Sequence, residues 1–161
     1  MLKTFFVFKG GKIMKYEFSR GTLAILPNDN NGSLVYEDDN RYVIDDTPFH
    51  IMEESCKYFG STYEGRKNGA RNILGAEYKV PIIVEDSNNL IVFPTTSPQA
   101  QDCVWISLNR VKKIEKVDFN YTKVIFDNNT EILVDCSYRT MENQLSRASR
   151  LDLILRNHKN S

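Results

Sequence analysis

The sequence is poor in cysteine and histidine and has no long apolar run, and each shortage excludes a class of protein. Its cysteines, Cys56, Cys103 and Cys136, are odd in number and widely spaced, unlike a disulfide framework. With only His50 and His158 and no Cys-x-x-Cys pair, we expect no metal site. No segment approaches the roughly 20 apolar residues that a transmembrane helix needs, and the opening apolar run is too short for a signal peptide. We expect a cytoplasmic protein without a membrane partner, metal or other cofactor.

Net charge is also absent, because 21 basic residues balance 21 acidic ones. A neutral chain does not bind polyanions indiscriminately, although a local basic patch still can. Residues 28–46 contain six acidic side chains and one arginine, whereas residues 57–79 and 138–161 each contain five basic and two acidic ones. The sequence therefore predicts separate acidic and basic surfaces.

Hydrophobic patterns predict one α+β domain over residues 1–161, with mostly antiparallel sheet. Thr47 followed by Pro48 is typical of a helix start, and Gly60 of a helix end, so we expect a helix near residues 48–59. A second helix is expected from about Tyr138, capped by Ser137 and packed on the last hairpin. The predicted strands are Phe5–Phe8, Ile13–Phe18, Thr22–Leu26, Ser33–Tyr36, Tyr42–Ile44, Val80–Val84, Leu90–Phe93, Val104–Leu108, Val111–Val117, Tyr121–Phe126 and Glu131–Cys136.

The segment from Gly60 to Gly69 is unusually rich in glycine and contains Arg66 and Lys67. Its G-x-x-x-x-G spacing matches a phosphate-binding loop, but Arg66 and Lys67 occupy the positions where that motif needs Lys and then Ser or Thr. We interpret the segment as a loop. Its cations could contact a phosphate backbone or a minor groove, with Ser61 and Tyr63 adding hydrogen bonds, or it could be a solvated turn.

The last predicted helix has an apolar face and a basic face. The apolar face holds Met141, Leu145, Ala148 and Leu155, and the opposite one holds Arg139, Asn143, Ser146, Arg147 and Arg150. The basic face is compatible with phosphate binding and also with an ordinary solvated helix surface.

No enzyme signature survives inspection. His50 and Cys56 could form a base and nucleophile, but a spacing of six residues puts them on different faces of a helix. We expect no catalytic residue. Trp105 lies in an alternating strand and is interpreted as part of the core edge rather than a base-stacking platform.

Five ordered motifs resemble the ComK family, the competence transcription factors of Bacillus and related Gram-positive bacteria. The motifs are Ser55–Lys67, Val80–Val84, Phe93–Thr95, Trp105–Ser107 and Glu142–Gln144. The likeness extends over roughly Thr22–Arg150.

The resemblance implies a DNA-binding activator of genes for DNA uptake, which recognises AT-rich elements through the minor groove as a dimer or tetramer. On this interpretation Arg66, Lys67 and Arg71 are the principal contacts with double-stranded DNA. Arg139, Asn143, Arg147 and Arg150 form a secondary phosphate surface.

Longer family members continue past the position of Arg156, in a tail linked to adaptor-protease control and activation, so we expect this chain to be truncated there. The alternative function is a shortened, non-activating relative that associates with a full-length paralogue.

Overall fold

Eleven strands and three α-helices occur in residues 6–8 and 12–161, the part of the chain that the computed structural model describes. The helices are α1 (Pro48–Tyr58), α2 (Tyr63–Leu74) and α3 (Tyr138–Lys159). The strands are β1 (Phe6–Phe8), β2 (Lys12–Lys15), β3 (Thr22–Asn28), β4 (Gly32–Glu37), β5 (Arg41–Ile44), β6 (Ile82–Glu85), β7 (Leu90–Pro94), β8 (Trp105–Ser107), β9 (Val111–Lys116), β10 (Thr122–Phe126) and β11 (Glu131–Val134).

The strands form two sheets. The large sheet has the order β1-β2-β5-β4-β3-β8-β7-β6, and the small sheet has the order β11-β10-β9. All pairings are antiparallel except that of β2 with β5, so the predicted α+β class with mostly antiparallel sheet is confirmed. The predicted strand over residues 13–18 is shorter than expected, and Phe5 lies outside the described residues.

Side-chain alternation builds the small sheet as predicted. Val124 and Phe126 on β10 and Ile132 and Val134 on β11 point to the core and are buried. The turn between these strands contains Asn129 with φ of 69°, a left-handed conformation that asparagine tolerates well. A hairpin in this register leaves one face of the small sheet outside the core.

Trp105 lies at the centre of the core rather than at its edge. It is fully buried on β8, between β3 and β7, and its ring meets that of Tyr63 edge-on with centroids 6.2 Å apart. The expectation that Trp105 is not an exposed stacking platform is therefore consistent with its position.

Both predicted helix starts are capped. The Thr47 hydroxyl accepts a hydrogen bond from the His50 amide at 3.2 Å, and the Ser137 hydroxyl accepts one from the Thr140 amide at 3.2 Å. Helix α1 packs on β3, β6 and α2, while α3 packs on β7, β9 and α2. Helix α3 thus joins the small sheet to the β6–β7 end of the large one.

Arg110 connects the turn after β10 in the small sheet to the turns next to β3 and β4 in the large sheet. Its Nε donates to both Asp127 carboxylate oxygens at 3.0 Å, and its Nη1 donates to the Arg20 carbonyl at 3.2 Å. It also pairs with Asp38, whose carbonyl accepts from Asn128 at 3.0 Å. The Arg110 hydrogen bonds lower the pKa of Asp127. Arg110 is therefore a structural clamp and not one of a group of solvated cations.

We predict that Asp127→Asn lowers the free energy of unfolding by about 1–2 kcal/mol near neutral pH, because it removes a charge-assisted bidentate contact at a partly exposed site. Pairing lowers the folded-state pKa of Asp127, so its contribution is present above the ordinary carboxyl pKa and lost as the pH falls through the folded-state value. The measurement is urea unfolding at a series of pH values.

The matched control is Asp39→Asn, which neutralises an exposed carboxylate next to Asp38. We expect this control to change stability little. A stability deficit of Asp127→Asn that did not shrink as the pH was lowered below the ordinary carboxyl pKa would contradict the clamp.

Candidate nucleic-acid interface

The glycine-rich segment is a helix, not a loop. The Thr62 hydroxyl caps the start of α2 by accepting a hydrogen bond from the Gly65 amide at 3.0 Å, and Gly75 ends the helix with φ of 65°. Tyr63, Ala70 and Leu74 recur at helical spacing and are buried. The expectation of a loop was wrong because these three apolar contacts outweigh the low helix propensity of glycine.

The outward face of α2 is rich in glycine and asparagine, and its one exposed charge, Glu64, lies at its edge. Otherwise it consists of Gly65, Asn68, Gly69 and Asn72, all exposed. A Cβ atom added at Gly69 would meet no heavy atom within 4 Å, so packing does not require glycine there. A glycine inside a helix costs about 1 kcal/mol relative to alanine. This face is therefore a smooth surface, bearing carboxamides, that another molecule can approach closely.

The predicted cations of α2 lie to the sides of that face. Lys67 pairs with Glu64 at 3.2 Å, and Arg71 pairs with Glu77 at 3.6 Å. Both glutamates are about two-thirds exposed, so these pairs are solvated and weak. Arg66 leans towards the core, where its Nε is enclosed and has no hydrogen-bond partner. Lys67 and Arg71 can exchange their carboxylates for phosphates at little cost.

The structure separates the two other side chains that were predicted in this segment. Ser61 is half-buried at the turn before α2, and its amide donates to the Cys56 carbonyl at 2.9 Å. Tyr63 is buried, and burial raises the pKa of its hydroxyl. Because the Tyr63 hydroxyl does not reach the surface, we leave Tyr63 out of the interface.

Among the predicted DNA-binding cations, those with the fewest contacts to other described residues are on helix α3. Arg139, Asn143 and Arg150 are exposed at spacings of four and seven residues, which places them on one face. Among the described residues, neither arginine has an ion-pair partner within 4.0 Å. Arg147 lies at the margin of this face, where its Nη1 donates to the Tyr78 carbonyl at 2.7 Å. Three of the four predicted α3 residues are thus brought together, and the fourth has a structural contact.

Gln144 fixes the position of α3 and was not singled out from the sequence. Its buried Nε2 donates to the carbonyls of Lys79 and Pro94, each at 2.8 Å. Lys79 has φ of 52°, which turns the chain between α2 and β6 towards α3. The sequence did contain an indication that Gln144 is buried, since it is a polar residue on the same stripe of the helix as the apolar Met141 and Ala148.

Helices α2 and α3 contact each other, so their surfaces adjoin. The basic helix surface is defined here as Lys67 and Arg71 of α2 with Arg139, Asn143 and Arg150 of α3, and most of its side chains are guanidinium groups. Guanidinium groups form directed hydrogen bonds with phosphate oxygens. The arrangement is suited to an extended polyanion and offers no group for bond cleavage.

The alternatives to a binding surface lack chemical support. His50 Nδ1 pairs with Asp46 at 2.6 Å on the outside of α1, whereas Cys56 is buried on the other side. Burial raises the pKa of Cys56 to about 11, an increase that the charge of Arg66 only partly offsets. In residues 6–8 and 12–161 there is no group of three potential metal ligands, and no helix there is long and apolar enough to cross a membrane.

Comparison with known proteins identifies the family. The model of the ComK family, described as ComK protein, matches residues 13–160. The chain is also 35% identical over 139 residues to the "Competence transcription factor" of Bacillus subtilis (strain 168), a match that covers 84% of this chain and 72% of that protein. No solved structure gives a significant match. This chain therefore belongs to the ComK family.

Proposed function

We propose that this protein is a cytoplasmic, sequence-selective DNA-binding activator of competence genes, and that it recognises AT-rich elements through the minor groove as an oligomer. Family membership and the name of the Bacillus subtilis relative support a competence transcription factor that binds double-stranded DNA and is not an enzyme. The observation that carries the proposal is the exposed Arg139–Asn143–Arg150 face, whose arginines have no carboxylate partner among the described residues.

A neutral protein binds DNA only where its cations are concentrated and free to exchange partners. The acidic residues of this chain are concentrated elsewhere, because residues 28–46 form β4, β5 and their flanking turns in the large sheet. The arginines of α3 remain available for phosphate oxygens, and the solvated pairs of Lys67 and Arg71 can open. Binding then releases condensed counterions from the DNA, which makes affinity depend on salt.

Arginine also accounts for a preference for AT-rich elements. Short A-tracts narrow the minor groove and deepen its negative potential, which favours an inserted guanidinium. The glycine-containing face of α2 allows the backbone of the duplex to come close to the protein. Because this recognition depends on groove shape, it needs few contacts with base edges.

The first test measures the affinity of the protein for an AT-rich duplex and for a GC-rich duplex of equal length, by fluorescence anisotropy over a range of salt concentrations. We expect affinity for both to fall steeply with salt, because both involve phosphate contacts, and the AT-rich duplex to bind more tightly at every concentration. Equal affinities for the two duplexes would remove the proposed groove recognition. No binding at low salt would remove the proposed function.

The contribution of α3 is tested by the double variant Arg139→Ala/Arg150→Ala. We expect affinity for the AT-rich duplex to fall on the order of tenfold and the slope of log affinity against log salt to decrease by about 2, one for each lost phosphate contact. Because both side chains are exposed and unpaired, circular dichroism should show an unchanged fold.

The charge-matched control is Lys15→Ala/Lys57→Ala, which removes two exposed cations from β2 and α1. It should retain nearly the parental salt slope. If both double variants lost affinity equally, the effect would be one of net charge and not of the α3 face.

The α2 face is tested by Gly69→Ala. In the free protein the added methyl group has open space, so we expect the free energy of unfolding to rise by about 0.5–1 kcal/mol. If DNA lies against this face, the same methyl group should weaken binding. Thermal unfolding and anisotropy titration measure the two effects, and a variant that is both more stable and equally tight would exclude α2 from the interface.

A further inference from the structure

The outer face of the small sheet carries a concentration of exposed apolar side chains. Strand pairing puts Lys113, Glu115, Lys123, Ile125, Glu131 and Leu133 on the face away from the core, whereas Val111, beyond a register shift in β9, packs on the core. Leu133 on β11 is 56% exposed, and the β9–β10 turn adds Val117, Phe119 and Tyr121 at 51%, 85% and 38%. Half of the eight strongly exposed large apolar side chains among the described residues thus belong to one face and its adjoining turn.

This apolar group is held rigidly. Asp118 Oδ1 accepts hydrogen bonds from the amides of Asn120 and Tyr121 at 2.8 and 2.9 Å, and the Val117 amide donates to the Tyr121 carbonyl at 3.1 Å. Phe119 therefore projects from an ordered turn, with Lys116 Nζ 5.2 Å from its ring centroid. Exposed apolar groups that are contiguous and fixed are typical of interaction sites, whereas scattered ones are ordinary.

The charges on the same face are balanced. Lys113 pairs with Glu115 at 3.3 Å, and Lys123 pairs with Glu131 at 3.1 Å. A face with equal numbers of cations and anions around an apolar centre does not attract a polyanion, so it is unsuited to DNA. It is suited to a copy of itself, because a two-fold axis can bring the cations of one copy to the anions of the other.

We propose that two copies of this chain associate through the outer face of the small sheet, with Val117, Phe119, Tyr121 and Leu133 at the centre of a two-fold interface. This inference rests on the proposed function in one respect, since the proposed recognition of AT-rich elements is by an oligomer, and a duplex that contains two such elements calls for a symmetric one. The core face of the same sheet packs towards α3, so dimerisation through the outer face leaves Arg139, Asn143 and Arg150 exposed.

The interface is tested without DNA, by sedimentation velocity of the full chain over a range of concentrations. We expect a concentration-dependent species of twice the 18.6 kDa chain mass. Leu133→Lys places a charge in the apolar centre, and Phe119→Ser removes the most exposed ring. Each should raise the dimer Kd on the order of tenfold or more, and both side chains are exposed enough for the fold to tolerate the change.

Matched controls introduce the same new residues at exposed apolar sites elsewhere: Val43→Lys on β5, where valine is 53% exposed, and Tyr58→Ser at the end of α1, where tyrosine is 66% exposed. Both controls should dimerise like the parental protein. A parental chain that stays monomeric, or controls that weaken dimerisation as much as the test variants, would overturn the proposed interface.

Anisotropy with a duplex that contains a single element separates this inference from the proposed function. Monomeric Leu133→Lys should bind this duplex with nearly parental affinity and lose the extra affinity for paired elements. A dimer that forms as expected but binds no DNA would refute the proposed function and leave the interface standing. A protein that binds paired elements tightly while monomeric in solution and unaffected by Leu133→Lys would refute the interface alone.

Discussion

The buried amide of Gln144 determines where the basic helix lies. Its two hydrogen bonds, to the carbonyls of Lys79 and Pro94, connect α3 to the chain that leaves α2 and to the end of β7. A buried amide donor without an acceptor would cost about 1–3 kcal/mol, so α3 has one favourable position against these carbonyls. The contact of Arg147 with Tyr78 reinforces that position from the exposed side. The face that displays Arg139 and Arg150 is consequently oriented by polar contacts on the opposite side of the same helix.

The distribution of charge follows from the same architecture. Six of the 21 acidic residues lie within residues 28–46, on β4, β5 and their turns, whereas α2 and α3 together carry eight of the 21 basic residues. Arg110, which pairs with Asp127 of the small sheet, also pairs with Asp38 of the large sheet and so joins the two sheets. The chain therefore uses one arginine for tertiary structure and leaves others for a ligand. The net charge of zero gives no indication of this division between structural arginines and arginines free to bind a ligand.

Sequence patterns were informative where one physical signal dominated. Alternation and the asparagines of the connecting turn predicted the β10–β11 hairpin, where Asn129 indeed has a positive φ, and the Thr47 and Ser137 caps located the starts of α1 and α3. Helix α2 was missed because its glycines indicate a loop, whereas its stability comes from burial of residues up to eleven positions apart. The exposed side of α3 could be predicted from periodicity. The partners of Arg147 and Lys67 could not be predicted in the same way, since the first depends on a carbonyl 69 residues distant and the second on the unsuspected helix.

Because the three cysteines are buried, the rate at which their thiols react in the folded protein depends on how often the surrounding structure opens. Burial raises the pKa of Cys56 to about 11, so its thiol stays protonated at pH 7, and its sulfur is also shielded from solvent. Alkylating reagents must therefore wait for the surrounding structure to open. Cys56 reports the opening of α1, Cys103 that of the segment before β8, and Cys136 that of the junction between β11 and α3. The protein therefore carries three buried thiols that can report local unfolding, one in α1, one before β8 and one at the junction of β11 and α3.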